Sequence, residues 1–416
     1  MVTNRFRFLL VATVLSTFVS FSAMAQFGCT DSQALNYDPS AVVNDGSCTY
    51  PATTLSTTLL TPLQTPLLDE NSGLFHAGGE WWSHVDDTFE SLYSIDTVTG
   101  NVTRTTNLSG ITNWDWEEAQ ADSNYIYIGD IGNNAGARTD LAIYRYPLSV
   151  LDSGVVALFP DTIRWTFSDQ TDFSPALNNT RFDCEAFVII NDTIHLFSKD
   201  WVLKNTRRYT LPAVPGNHVA LLQDSLPANG LITGASVNSD GVVVLLGYDN
   251  QIPAPCFLWM LYDYPESDVF DGNKRRFSLG TALTLGQTEA ISFREGNYGY
   301  ISNERFQQSI FNVAPQLRSF SLDNYLTSST AGLFENTDNT ATFIYPQPSQ
   351  GEFTITTPFS GIAEYRLMDL GGRVVYTSVG QADRFHCMAE SLVPGLYIVE
   401  ISCQDGRKAR SRVIFR

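Results

Sequence analysis

The sequence predicts an all-β fold, and three observations carry that expectation. Short aromatic and β-branched runs separated by Gly, Asn and Asp turns fill residues 51–326, with no long apolar stripe of helical period. A five-residue pattern recurs at Asp115-Trp116-Glu117-Glu118-Ala119, Asp183-Cys184-Glu185-Ala186-Phe187, Ile232-Thr233-Gly234-Ala235-Ser236 and Gln287-Thr288-Glu289-Ala290-Ile291, with a weaker Asn71-Ser72-Gly73-Leu74. Its anchors at 72, 117, 185, 234 and 289 are 45, 68, 49 and 55 residues apart. Four-stranded propeller blades have that scale, about 40 to 50 residues each. The expected architecture is a five- or six-bladed β-propeller, followed from residue 343 by a small β-sandwich.

Each motif is read as opening the innermost strand of a blade. A second strand then closes on a small residue, Ser83, Gly129, Ser198, Gly247 or Ser302, before a polar loop at 84–87, 130–134, 199–200, 248–250 or 303–304. Five blades are visible this way. A sixth would have to come from the longest interval, where 143–146 and 162–167 both read as strands. The last repeat shows strands at 290–293, 298–302 and 317–322 and no fourth, so the segment 53–60 is expected to supply one and remove an open edge.

Composition fits a globular chain: 43% hydrophobic, 12% aromatic and 17% charged residues. Lys plus Arg is 25 against 44 Asp plus Glu, a net charge of −19. That excess argues against a nucleic-acid partner, which needs a basic face to displace counterions. It suits cations and neutral or cationic ligands instead. Arg5 and Arg7, the apolar run 8–21 and Ala23-Met24-Ala25 read as a secretory signal peptide over residues 1–25. The run is about 14 residues, shorter than the roughly 20 of a spanning helix, so no transmembrane segment is expected. All six cysteines lie beyond that leader, where oxidation favours pairing. Cys29 with Cys48 and Cys387 with Cys403 are the sequence-local candidates, and Cys184 and Cys256 are either buried thiols or a long-range pair.

Residues 26–50 are too short and turn-rich to hold a core, so a Cys29–Cys48 bridge would be their main staple. The run Cys29-Thr30-Asp31, Asn36-Tyr37, Asp45-Gly46-Ser47-Cys48 resembles a small module found near the start of many surface proteins of bacteria with type IX secretion. Asp31, Asn36, Asp38, Asn44 and Asp45 are either calcium ligands or turn formers. After a polar linker at 327–342, period-2 strands recur around Phe353 and Ile355, Tyr365 and Leu367, 374–376, 396–401 and 413–415. The motifs Tyr345-Pro346-Gln347-Pro348, Gly351-Glu352-Phe353, Asp369-Leu370-Gly371-Gly372-Arg373 and Leu392-Val393-Pro394-Gly395-Leu396-Tyr397 occur in that order. Residues 343–416 thereby resemble the type A sorting domain of type IX secretion. The resemblance implies an address read by the secretion machinery at the outer membrane, without catalysis of its own, and a secreted or outer-surface location.

The middle region resembles an uncharacterised family of secreted bacterial β-propellers. The residues that carry this are Asn113-Trp114-Asp115-Trp116-Glu117, Gly129-Asp130-Ile131-Gly132-Asn133-Asn134, Asp183-Cys184-Glu185-Ala186 and Gly286-Gln287-Thr288-Glu289-Ala290-Ile291 with Ser302-Asn303-Glu304. More distantly its motif is similar to those of calcium-dependent propeller phytases and propeller lactonases, whose catalytic sequences are not evident here.

If the motifs are equivalent, Glu117, Glu185 and Glu289 enter one central channel. Unneutralised like charges there are costly, so a cation or basic partners are expected. One reading places a divalent cation, Ca²⁺ fitting best, on Glu117, Glu185, Glu289, Asp130, Asn133 and Glu304. The structural reading has each glutamate bonded to backbone amides or to an arginine of the neighbouring blade, with Arg138, Arg181 and Arg305 near the motifs as salt-bridge partners. Nothing else points to catalysis: the five histidines lack ligand spacing, no P-loop or dinucleotide loop exists, and Gly234-Ala235-Ser236 lacks the second glycine of a nucleophile elbow. Trp81-Trp82, Trp114 with Trp116, and Trp259 either stack sugars at the channel mouth or fill the core. The functional expectation is an exported module that binds an unidentified protein, glycan or small molecule. The rival is a metal-dependent hydrolase of a phosphoester, lactone or glycan.

Overall fold

The computed structural model describes residues 26–86, 88–156 and 158–326, and in the C-terminal part 343–345, 349, 352–357, 359–369, 373–388, 392–393, 395–403 and 408–415. The expected leader, the linker, Asp87 and the tail motifs at 346–348, 351, 370–372 and 394 lie outside them. The chain divides between Leu326 and Thr327 into two compact units. No helix among the described residues is long and apolar enough to cross a membrane.

The first unit is a five-bladed propeller. From the axis outward, blade 1 runs Asn71–Ala77, Glu80–Val85, Ser91–Ile95, Val102–Leu108, and blade 2 runs Trp116–Ala121, Tyr125–Asp130, Ala142–Pro147, Asp161–Phe167. Blade 3 is Asp183–Ile190, Thr193–Lys199, Thr206–Pro212, Gly216–Leu226, and blade 4 is Leu231–Val237, Val243–Tyr248, Pro255–Tyr262, Asn273–Thr281. Blade 5 has Gln287–Glu295, Tyr298–Glu304 and Gln316–Ser321, and its fourth strand is Thr58–Pro62, paired antiparallel to Gln316–Ser321. The N-terminal segment thus closes the ring, but with 58–62 rather than the whole of the expected 53–60: Thr53–Thr54 pairs in parallel with Asn273–Thr281, the outermost strand of blade 4. The described residues form no sixth blade, because Ala142–Pro147 and Asp161–Phe167 are the third and fourth strands of blade 2. The outermost strands of blades 2 and 3 also pair with each other in parallel, fusing the two sheets into one of eight strands.

Strand alternation explains the long apolar runs. In Val243-Val244-Leu245-Leu246 the odd positions pack toward blade 3 and the even ones toward blade 5, so both faces are buried and polar alternation disappears. Five such clusters, one at each junction of neighbouring blades, form a closed ring of core.

The axis is crowded, which accounts for the small residue in each motif. A Cβ on Gly234 would lie 2.6 Å from the Glu289 carbonyl oxygen, and one on Gly73 would lie 2.1 Å from His84 Nε2. Ala119, Ala186, Ala235 and Ala290, on four of the five innermost strands, are fully buried.

Residues 26–50 belong to this unit and pack on blade 4. Cys29 and Cys48 form the one disulfide among the described residues. Asp31 accepts hydrogen bonds from the Tyr50 and Tyr262 hydroxyls, and Asn44 donates to the Asp263 carbonyl and Asn273 Oδ1. Cys184 and Cys256 are buried thiols. The Cys387–Cys403 pairing is corrected: the two sit on opposite sheets of the second unit and are not bonded to each other.

That second unit is a β-sandwich. One sheet is ordered Phe343–Tyr345, Glu352–Thr356, Arg384–Met388, the other Val374–Gln381, Ile362–Met368, Gly395–Cys403, Lys408–Phe415. Phe353, Ile355, Tyr365, Leu367, Val399 and Val413 fill the space between them.

Candidate functional site

A repeated irregularity of the ladder builds the site. Where each innermost strand meets its neighbour, the register shifts. Glu117 is skipped between Trp116 and Glu118, Glu185 between Cys184 and Ala186, Thr233 between Ile232 and Gly234, Glu289 between Thr288 and Ala290, and Ser72-Gly73 between Asn71 and Leu74. A bulged residue leaves the alternation and its side chain is re-aimed. Here it turns Glu117, Glu185 and Glu289 into one cavity of about 420 Å³ at the mouth of the channel. The blade 4 equivalent is Thr233, one residue before the Gly234 anchor.

Blades 1 and 4 carry hydroxyls at this position, and both reach the next innermost strand. Ser72 Oγ donates to the Glu117 carbonyl at 2.9 Å and to Glu117 Oε2 at 3.1 Å, and Thr233 Oγ1 donates to the Thr288 carbonyl at 2.8 Å.

Among the described residues six carboxylates line the cavity, those of Asp86, Asp115, Glu117, Glu185, Glu289 and Glu304, against one cation, Lys199. Lys199 Nζ bonds both carboxylate oxygens of Glu185 and lies 5.0 Å from the centre of the Trp201 ring. Burial disfavours its charge, yet Glu185, Tyr248 and Glu289 together hold its pKa well above the ordinary lysine value. The other carboxylates feel the opposite balance. Burial and then Asp183 push Asp115 up to about 6. Burial, with Glu185 and Asp115, raises Glu117 well above the usual range, and burial with Glu289, Asp86 and Glu70 does the same to Glu304.

On the blade 5 side, the Gln287 amide bridges two of them, donating to Glu289 Oε1 at 2.6 Å and to Glu304 Oε2 at 3.0 Å. Glu289 Oε2 is buried without a hydrogen-bond partner among the described residues. Beside it, one oxygen each from Glu70, Asp86 and Glu304 lie within 4.8 Å of one another. Arg305 fixes the segment that carries Glu70, bonding the Asp69 carboxylate at 2.9 and 3.0 Å while its own N–H donates to the Asp69 carbonyl.

Of the residues singled out by sequence, Glu117, Glu185, Glu289 and Glu304 meet in this cavity. Asp130 and Asn133 lie beside it and serve the loop. Asp130 pairs with Arg138 at 2.8 Å, and Asn133 spends its amide on the Phe182 carbonyl and the Arg138 N–H. Arg181 and Arg305 pair with Asp200 and Asp69, so none of the three arginines neutralises a motif glutamate. Sequence reasoning missed Lys199, Asp86, Glu70 and the buried Asp183. Asp115 and Asp183 carried a signal, since each stands two residues before a motif glutamate. In the 26–50 module each candidate side chain accepts a backbone N–H of the module itself, and Asp31 also takes the Tyr50 and Tyr262 hydroxyls. Asp38 and Asp45 accept from the N–H groups of Ser40 and Ser47, Asn36 from that of Thr49, Asp31 from that of Gln33 and Asn44 from that of Gly46. Trp81, Trp82 and Trp116 are core, and Trp114 is exposed.

Residues 343–416 match the family model of the secretion system C-terminal sorting domain. This tail indicates export to the cell surface or the medium, and engagement of the secretion machinery. No curated sequence matches the chain. Among solved structures, it is similar to glutaminyl cyclase of Myxococcus xanthus (TM-score 0.38, 9% identity, 66% of this chain and 100% of that one). The PQQ-bound aldose sugar dehydrogenase of Streptomyces coelicolor gives a TM-score of 0.37 and 11% identity over 65% of this chain and 99% of that one. A Bombyx mori β-fructofuranosidase in complex with sucrose gives 0.37 and 9% over 87% of each. The propeller assignment rests on the strand pairing of this chain.

Proposed function

We propose that this exported propeller is a binding module whose channel mouth takes a divalent cation, with calcium as the fitting ion. The observation that supports it most is the Glu70, Asp86, Glu304 group, three oxygens within 4.8 Å at a cavity whose one lining cation is already engaged by Glu185. Calcium accepts carboxylate oxygens from flexible directions and completes its 6 to 8 ligands with water. The buried Glu289 Oε2 and the Gln287 bridge fit a set of acceptors held for a cation. The test is thermal unfolding of the full chain with calcium and with chelator, plus metal analysis. A cation bound only by the native state raises the melting temperature by mass action. The expected result is a calcium-dependent rise that Asp86→Asn with Glu304→Gln removes; no rise and no bound metal would end the reading.

A hydrolase reading has one observation in its favour. Asp115, with its pKa at about 6, titrates in the range a general acid or base needs and lines the same cavity as Glu117. It predicts cation-dependent cleavage of a phosphoester, lactone or glycan that Asp115→Asn abolishes while the calcium-dependent melting rise survives.

A further inference from the structure

A second cavity of about 480 Å³ opens where blade 2 meets the loop entering it from blade 1, and it shares no lining residue with the acidic mouth. Trp114, Tyr144, Phe159, Thr162 and Arg164 line it. Trp114 and Phe159 are 67% and 76% exposed, unusual for large aromatic side chains in a chain whose other described tryptophans are mostly core. Gly110 makes the Phe159 position possible: its backbone has φ +79°, and a Cβ there would meet the Phe159 ring at 2.4 Å. Thr162 and Arg164 stand on the outward face of the strand whose Ile163, Trp165 and Phe167 are core. Tyr144 is held from behind, its hydroxyl donating to Asp130, which Arg138 anchors.

Arg164 is the telling residue. Every other arginine and lysine between 51 and 326 donates to a carboxylate, carbonyl, amide oxygen or hydroxyl. Arg164 has no acceptor or carboxylate partner among the described residues. Among residues 51–326, where the acids outnumber the bases, a guanidinium without such a bond is the exception, and Tyr144 on the cavity wall feels its charge. Its planar fork matches a carboxylate or sulfate, while flat aromatic faces take the C–H surface of a sugar ring.

We infer that this groove between blades 1 and 2 binds an acidic saccharide, with its charged group on Arg164 and its ring against Trp114 and Phe159. The surrounding acid excess repels long polyanions, so the fitting ligand is a short acidic oligosaccharide.

The experiment is titration calorimetry of the full chain in chelator, which silences any calcium bridge at the channel mouth. The probes are a trigalacturonate, its carboxyl-reduced neutral counterpart and a monosulfated disaccharide. Binding of trigalacturonate is expected, about tenfold or more weaker in Arg164→Gln and weaker still in Trp114→Ala, with unchanged melting temperatures since both side chains are exposed. The neutral sugar should not distinguish Arg164→Gln from the parent, and Asp86→Asn with Glu304→Gln should leave acidic-sugar binding intact. The sulfated probe decides whether the fork takes sulfate as well as carboxylate: binding lost in Arg164→Gln extends the site to both anions, and none restricts it to carboxylates. No binding of either acidic probe, or equal affinity in Arg164→Gln, overturns the inference.

Discussion

Lys199 Nζ sits on both carboxylate oxygens of Glu185, and this is where the acidic ring is neutralised by the chain itself. The two face each other because Glu185 is the bulged residue of the innermost strand of blade 3, and Lys199 ends the strand beside it. The same bulge in blades 2 and 5 turns in a glutamate without supplying a lysine.

Removing that lysine alone should be severe. Lys199→Met leaves a buried carboxylate without its cation, which costs about 3–5 kcal/mol. Combining it with Glu185→Leu should restore much of the loss, because a buried pair replaced by apolar groups is often near neutral. Denaturant unfolding of the two variants and the parent measures both changes.

The channel carboxylates set the direction of pH dependence. Asp115 rises from 3.8 to about 6 on folding, and Glu117 and Glu304 are also raised. Between the ordinary and the raised values the native state holds more protons than the unfolded one, so stability falls as pH rises through that window. Calcium needs the ionised forms and should reverse the trend. Melting curves from pH 4 to 7 should fall with pH in chelator, while the calcium-induced rise grows from nearly nothing at pH 4.

Glu118 is a different kind of glutamate. It accepts the Ala235 N–H at 2.9 Å and the Ala119 N–H at 3.0 Å, linking the innermost strands of blades 2 and 4 across the channel, and the Gln120 amide donates back to the Ala235 carbonyl. Glu118→Ala leaves a buried N–H without an acceptor and should cost about 1–3 kcal/mol. Glu118→Gln keeps an acceptor and should cost less than about 1 kcal/mol. Neither change should alter calcium binding, which calorimetry checks.

Closure by Thr58–Pro62 is testable by truncation. A chain starting at residue 63 loses a strand with four ladder partners and exposes the edge of blade 5. At about 1 kcal/mol per hydrogen bond and 2–4 °C per kcal/mol, its melting temperature should drop by roughly 10 °C. Self-association on size exclusion should follow, whereas a chain starting at residue 51 should stay monomeric.

The sequence by itself determined the blades, the closing strand and the meeting of Glu117, Glu185, Glu289 and Glu304. Those are repeat properties: strand period, turn residues and a recurring short motif at the start of the innermost strand mark them, because each blade must fit the same crowded axis. It also offered two counts for the blades, since a 68-residue interval has room for either an extra blade or long connections, and only strand pairing separates the two. What tertiary structure alone decided was pairing between residues far apart in the chain. Arg138 stands near the motif in sequence but is taken by Asp130, while Lys199 reaches Glu185 across the first hairpin of blade 3. Glu70, Asp86 and Glu304 come from opposite ends of the propeller sequence and meet because the ring closes between blades 5 and 1. Trp114 and Trp116 show the same limit at short range. Two residues apart, they are read alike in sequence, but one precedes the strand and is exposed and the other begins it and is buried.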